Sequence, residues 1–268
     1  MTNLFVTTAV RATPALEEDA RAIARELDVR YHPRRNITVA KVFLETGADR
    51  LVIIAEDRCL LRDRATGAEY AFHPNLAMLR GHNLQRGWRD LFIDAVDLTQ
   101  GDHVLDCTLG FAGEATLASY TVGETGRVVG LESVPELAVV TRYGVGHFEL
   151  NPKIFRAALR RVEVVSADYR LFLPQCEPGS FDVVYFDPFF DERLPGSSNS
   201  VTPLHLFGNQ APLDVAAVLD ARRVARRRVV IKTPRMDALP PELAGLVSGV
   251  VTGRKSRVHY HIIPAAEG

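Results

Sequence analysis

The run Val183-Val184-Tyr185-Phe186-Asp187-Pro188-Phe189-Phe190 delivers a carboxylate, a proline and two aromatic rings directly after an apolar strand. That combination suits a planar amine. The exocyclic amine of a purine is a poor nucleophile, because its lone pair is delocalised into the ring. Two acceptors on its N–H bonds, the Asp187 carboxylate and a backbone carbonyl in the Pro188 turn, would orient the nitrogen and stabilise positive charge growing on it during alkylation. Proline fixes the turn. Phe190 offers a stacking face, worth roughly 1–3 kcal/mol per base. Phe189 reads either as a second substrate contact or as core filling.

Ligands of open α/β sheets bind beyond the carboxyl ends of the strands. Three consecutive strand ends here carry matching residues. The first, Val104 to Ala115, holds Asp106, then Thr108, Gly110, Phe111 and Gly113 in the turn before a helix. Glycine permits positive φ and close approach of a ligand to the backbone. The second ends in Glu132-Ser133, with Glu132 placed to accept from two ribose hydroxyls. The third ends in Asp168-Tyr169, an acceptor for an adenine amino group and a ring to pack beside it. Together they indicate an adenosine-containing cofactor. A dinucleotide enzyme would present G-x-G-x-x-G to cradle a pyrophosphate. Here Gly110-Phe111-Ala112-Gly113 follows an aspartate, which repels a pyrophosphate and suits an ammonium and a sulfonium. The expected cofactor is S-adenosylmethionine.

Two further features belong to the substrate side. Lys232 ends an apolar strand, where it must face the cleft or a partner. It reads as a contact to a phosphate or base carbonyl, or as an ion pair with a cleft acid such as Asp187. The stretch Asp191 to Gln210 is long for a loop in a compact domain and suits a lid or binding segment. Its Ser198 and Ser200 could hydrogen-bond a substrate.

These residues need a frame. From Gly101 onward, Val-rich strands alternate with helical segments (Ala112–Thr121, Pro135–Leu150 and Pro212–Val224), the signature of a parallel sheet covered on both faces. The chain then closes with two strands around the turn Arg254-Lys255-Ser256. The expected fold is α/β: a Rossmann-like sheet of five parallel strands plus a terminal antiparallel hairpin, preceded by a small N-terminal α/β module. In that module Thr13 and Pro14 open a helix as N-cap and first residue. The expected domains are 1–80 and 86–268, joined by a linker without steady period at Asn75–Gly87. An amphipathic helix is expected from Trp88, with Trp88, Leu91, Phe92, Ala95 and Val96 near one face.

The 268 residues are 47% apolar and 24% charged, as in ordinary soluble proteins. No apolar run reaches the roughly 20 residues of a membrane helix, and no secretory signal is expected. Cys59, Cys107 and Cys176 show neither a disulfide framework nor a metal spacing, which suits reduced thiols in the cytoplasm. No metal site is expected, although His259 and His261 share a strand face. The formal net charge of −1 makes the molecule as a whole no magnet for nucleic acid. Basic clusters at His32–Arg35, Arg156–Arg161 and Arg222–Arg228 read either as phosphate contacts or as solvated helix faces.

Taken together, "VLDCTLGFAGEA", "VVYFDPFF" and "RRVVIKTPR" resemble the motifs of class I S-adenosylmethionine-dependent methyltransferases. More narrowly, residues 86–264 are similar to the bacterial small-subunit ribosomal RNA guanine-N2 methyltransferase family. The first 80 residues look closer to a related group of uncharacterised methyltransferase-like proteins. The resemblance implies an N-methyltransferase acting on RNA, in the cytoplasm, with guanine N2 as acceptor. The N-terminal module is expected to help engage RNA through residues such as Arg34 and Arg35. A DNA base, a protein amide, a small heterocyclic amine, or cofactor binding without catalysis are the alternatives. A homodimer stays open.

Overall fold

The computed structural model describes residues 2–74, 77–189, 202–234, 238–254 and 256–267. The elements run in chain order as follows. First come β1 (Leu4–Thr8), α1 (Pro14–Glu26), β2 (Arg30–Tyr31), α2 (Val39–Thr46), β3 (Arg50–Ile54), β4 (Cys59–Asp63) and β5 (Glu69–Ala71). Next are α3 (Ala77–Gln85), α4 (Leu91–Val96), β6 (His103–Asp106), α5 (Gly113–Val122), β7 (Arg127–Glu132), α6 (Pro135–His147) and α7 (Lys153–Arg160). The chain continues through β8 (Val162–Ser166), α8 (Tyr169–Phe172), β9 (Phe181–Phe186), α9 (Thr202–Phe207), α10 (Val215–Val224) and β10 (Ala225–Thr233). It closes with α11 (Pro241–Ala244), β11 (Gly249–Thr252) and β12 (His259–Pro264).

Two compact units emerge, and they are not contiguous in sequence. One comprises Met1–His73 together with Pro135–Phe148; the other comprises Pro74–Val134 with Glu149–Gly268. Helix α6 thus groups with the N-terminal unit although the strands on either side of it do not. Within that unit Thr141 Oγ1 meets the Tyr70 hydroxyl at 2.9 Å, and the Tyr143 hydroxyl donates to Ala55 O at 2.6 Å. Gly144 packs so closely on Phe72 that an added Cβ would lie 2.1 Å from its ring.

The first unit carries a mixed sheet of order β2-β1-β3-β4-β5, with β1 parallel to β2 and β3, and β4 antiparallel to both neighbours. Thr13 caps α1, its side chain accepting from Leu16 N at 3.2 Å, and Pro14 follows as the first helical residue, as its sequence indicates. The short strand β2 and helix α2 carried no distinct apolar pattern in the sequence. Thr38 caps α2, which ends in left-handed Gly47.

The second unit is built on a seven-stranded sheet of order β11-β12-β10-β9-β6-β7-β8. Strands β6 to β10 pair in parallel, and β12 runs antiparallel to both β10 and β11. Its core gathers the inward residues of this sheet, among them Leu105, Val129, Leu131, Val184, Phe186, Val229 and Ile231, against Val218, Ala221 and Val224 of α10. Burying both faces explains why these strands read as continuous Val-rich runs. Five parallel strands and a terminal hairpin are the expected sheet.

Three expectations are corrected here. The stretch expected as a linker, Asn75–Gly87, contains α3, whose apolar residues are too sparse to show a helical period. The helix expected from Trp88 begins only at Leu91, because Asp90 caps it by accepting from Phe92 N and Ile93 N. Trp88 therefore stands outside the helix, 61% exposed. Arg34, expected to face RNA, is 8% exposed. Its guanidinium donates to Ile37 O at 2.6 Å and Thr8 O at 3.2 Å, pinning a turn in which Arg35 and Asn36 both take positive φ. Burial lowers its pKa from the ordinary arginine value. Among the described residues no helix is long and apolar enough to cross a membrane.

The role of Arg34 has a direct check. Arg34→Gln removes a buried donor to two carbonyls and is expected to lower unfolding free energy by about 1–3 kcal/mol in urea denaturation. An unchanged denaturation midpoint would return Arg34 to the surface.

Candidate active site

The parallel pairing of β6 with β9, in register Asp106↔Tyr185, sets the loop after Asp106 beside the loop that begins at Asp187. Cys107 N donates to Tyr185 O at 2.9 Å. Thr108 bridges the two loops. Its backbone N–H donates to Asp106 Oδ1 at 3.0 Å, and its hydroxyl accepts from Asp187 N at 2.6 Å. Pro188 is buried after that contact, so the turn is held on both sides.

Asp187 does not stand alone. Lys232 Nζ lies 2.7 Å from Asp187 Oδ2 and 3.7 Å from Glu114 Oε1. Glu114 Oε1 also accepts from an Arg80 terminal nitrogen at 2.7 Å, and Arg80 binds Asp90 through two nitrogens at 2.8 and 2.9 Å. Five charges thus alternate in sign: Asp90, Arg80, Glu114, Lys232 and Asp187. Burial works against the charge on Lys232, but Asp187 and Glu114 outweigh it and hold its pKa above the ordinary lysine value. Burial likewise works against Glu114, yet Lys232 and Arg80 keep its carboxyl below the usual range. Burial raises Asp187; Lys232 opposes the rise and Glu114 adds to it. For Lys232, the ion pair with a cleft acid is the contact the structure contains.

Across the sheet, Leu109 N donates to Leu131 O at 2.9 Å and Ala167 N to Glu132 O at 3.0 Å, so the three strand-end loops are tied together. Gly110 takes φ +50°, as a tight turn requires. Gly113 does not. The second left-handed residue is Ala112, at φ +54°, which precedes α5 and corrects the expectation for the turn's second glycine. Phe111 is buried. Glu132 is buried with Oε1 accepting from Val134 N at 2.9 Å, and Ser133 Oγ accepts from Asn209 Nδ2 at 3.3 Å. Asp168 caps α8 and holds the Arg170 guanidinium, which keeps its carboxyl below the ordinary range. Tyr169 stands edge-on to Phe186 at 5.3 Å and packs against the sheet core.

The long segment before Gln210 ends in α9, and this helix touches several loops. Leu204 Cδ2 lies 3.2 Å from where a Cβ on Gly110 would sit. His205 tilts against Phe189 with ring centroids 4.8 Å apart, and Asn209 reaches Ser133. Phe189 therefore packs on α9. Phe190, Ser198 and Ser200 lie outside the described residues. Sequence reasoning passed over Glu114, Arg80 and Asp90. Glu114 sits inside the quoted motif, as the second residue of α5, and its acid at a helix start was the available signal. Arg80 had none, since its helix lay in the expected linker.

Residues 42–259 match the family described as "Putative SAM-dependent methyltransferase". The chain is 35% identical over 228 residues to "Uncharacterized protein YpiP" of Bacillus subtilis, covering 85% of this chain and 88% of that protein. It is 26% identical over 218 residues to ribosomal RNA small subunit methyltransferase J of a Neisseria meningitidis strain, with 79% and 80% covered. A solved S-adenosylmethionine-dependent methyltransferase from Neisseria gonorrhoeae shares the fold at TM-score 0.65 and 20% identity, covering 98% and 97% of the two chains. The chain belongs to the S-adenosylmethionine-dependent methyltransferases.

The cofactor of this methyltransferase is accordingly S-adenosylmethionine, and the residues present fit it. Carboxylates end β6 and β7 and follow β9, and Lys232, which pairs with Asp187, also lies near Glu114. This cluster suits a cationic ligand and not a pyrophosphate. Among the described residues no group of three His, Cys, Asp or Glu side chains could hold a metal ion.

Asp106 carries the electrostatic consequence. Burial raises its carboxyl to about 8, and Glu114 and Asp187 add to the rise while Thr108 N–H opposes it. Its folded pKa lies above its unfolded value, so the folded state takes up the proton more readily. The stability this gives is complete below the unfolded pKa and is lost as pH rises through about 8. Without cofactor, the urea midpoint of the protein is expected to fall relative to Asp106→Asn between about pH 4 and about pH 8, and to level off above that. A constant difference between the two proteins across that range would place Asp106 in water.

Proposed function

We propose that this methyltransferase transfers the methyl group of S-adenosylmethionine to an exocyclic amine, with guanine N2 of ribosomal RNA as the acceptor. The observation that carries the reading is the Asp187-Pro188 turn, tied through Thr108 to the loop that begins at Asp106. The cofactor supplies an electrophilic methyl carbon. Asp187 accepts one amine N–H, and a carbonyl of the Pro188 turn accepts the other. These contacts localise the nitrogen lone pair and stabilise the charge that develops as the amine is alkylated. No strong general base is needed, because the amine becomes acidic as its new bond forms. Asp106, Thr108, Gly110, Phe111, Gly113, Glu132, Ser133, Asp168 and Tyr169 are assigned to the cofactor, and Phe189, Phe190, Ser198, Ser200 and Lys232 to the acceptor. The likeness to ribosomal RNA small subunit methyltransferase J supports the choice of acceptor.

A small planar amine outside nucleic acid is the second reading, and one observation favours it. The basic clusters are engaged in ion pairs and hydrogen bonds within the chain. Arg223 donates to Cys176 O and Leu173 O, Arg226 pairs with Asp182, Arg227 with Asp102, and Arg228 with Asp97. Arg156 pairs with Glu149, and Arg161 donates to Ser119 O. An RNA contact would draw on other cations.

Tritiated methyl transfer to ribosomal RNA from a strain lacking the modification separates the two readings. Asp187→Ala is expected to abolish transfer while leaving S-adenosylhomocysteine affinity within about tenfold by calorimetry, since its role lies with the acceptor. Loss of cofactor binding in that variant would move Asp187 to the other half of the site.

A further inference from the structure

The Asp187–Lys232 contact presents a problem for an acceptor site: the carboxylate oxygen that should receive an amine N–H already receives one from an ammonium, at 2.7 Å. A lysine committed to Asp187 would compete with the substrate. Lys232 is not wholly committed, because Glu114 Oε1 stands 3.7 Å from the same nitrogen. Glu114 is itself held. Arg80 donates to Oε1 at 2.7 Å, and Asp90, anchored by capping α4, fixes the far side of Arg80. Lys232 is also confined from its own strand, where Tyr260 is its cross-strand partner on β12. The ammonium can therefore exchange between two carboxylates with little movement of its stem.

We propose that Glu114 is a positioning residue for the acceptor site: by sharing Lys232 with Asp187 it sets how tightly the ammonium covers Asp187 Oδ2, and so how readily that oxygen accepts the N–H of an incoming amine. Arg80 and Asp90 hold Glu114 in place for this. The inference rests on the acceptor role given to Asp187 above. When an amine docks, Lys232 moves toward Glu114 and the Asp187 oxygen becomes available; the total charge of the group is unchanged. When no amine is present, the ammonium returns and neutralises a carboxylate that is two-thirds buried.

The test is a double-mutant cycle with Glu114→Gln, Lys232→Met and the pair, because only groups acting through one another deviate from additivity. Glu114→Gln leaves Lys232 to Asp187 alone, and acceptor kcat/KM is expected to fall about tenfold while S-adenosylhomocysteine affinity changes less than about twofold. In the Lys232→Met background the same substitution should change kcat/KM by less than about twofold. An equal fall in both backgrounds, or a matching loss of cofactor affinity, overturns the proposal. If Glu114→Gln does not fold, Glu114→Asp, which withdraws the carboxylate from Lys232, enters the same cycle with the same expectation. A second readout needs no acceptor: the carboxyl carbon of Asp187, assigned by its disappearance in Asp187→Asn and titrated by NMR. Its midpoint should move down in Glu114→Gln and up in Lys232→Met. An unmoved midpoint in Glu114→Gln overturns the sharing of Lys232. If the midpoints move as expected but no amine is methylated by the wild-type protein, the sharing stands and the acceptor reading fails.

Discussion

The parallel pairing of β6 with β9 is the constraint on which the site depends. It brings together two loops that lie 79 residues apart in sequence, as the hydrogen bond from Asp187 N to Thr108 Oγ1 records. Because β6 to β10 all run in the same direction, every such loop leaves the same edge of the sheet. The neighbouring strand on each side then adds a residue from its carboxyl end: Glu132 from β7 and Lys232 from β10. Chemistry at this edge follows from strand order, with no single loop supplying the site.

Gathering so many charges at one edge has a cost, and the protein meets it by alternation. Each member of the Asp90–Arg80–Glu114–Lys232–Asp187 series has an opposite charge on the side facing its neighbour. A lone charge at these depths would be neutralised by proton exchange or would destabilise the fold. Asp106 is the exception: it is buried, with no cation within hydrogen-bonding reach of its carboxylate among the described residues, and burial raises its pKa. An acid that is reluctant to ionise until a cation arrives is well matched to a cationic cofactor.

The arginines show how poorly charge clusters predict surfaces. "RRVARRR" looks like a phosphate track, yet its side chains fasten the start of β10 to the loops around Asp97, Asp102 and Asp182. Arg34 fastens a turn in the same way. Guanidinium groups with five donors are well suited to satisfying several carbonyls at once, and burying the stem covers apolar surface. Such uses are invisible in a residue string, where only the charge can be read.

What could be read from the string were features that act locally. Val-rich runs at regular spacing indicate the parallel sheet because each strand is buried on both faces. Thr13-Pro14 indicates a helix start because capping involves neighbours in sequence. The motif at Asp106–Gly113 and the Asp-Pro turn mark the candidate site because each is a compact strand-end device. Tertiary structure alone decided the partners. It put Arg80, from an apparently patternless stretch, beside Glu114; it gave Lys232 two carboxylates; it grouped α6 with the N-terminal unit; and it buried Arg34. Each of these depends on contacts between residues distant along the chain. A linear pattern records which faces are apolar, but not which charge will meet which when those faces close.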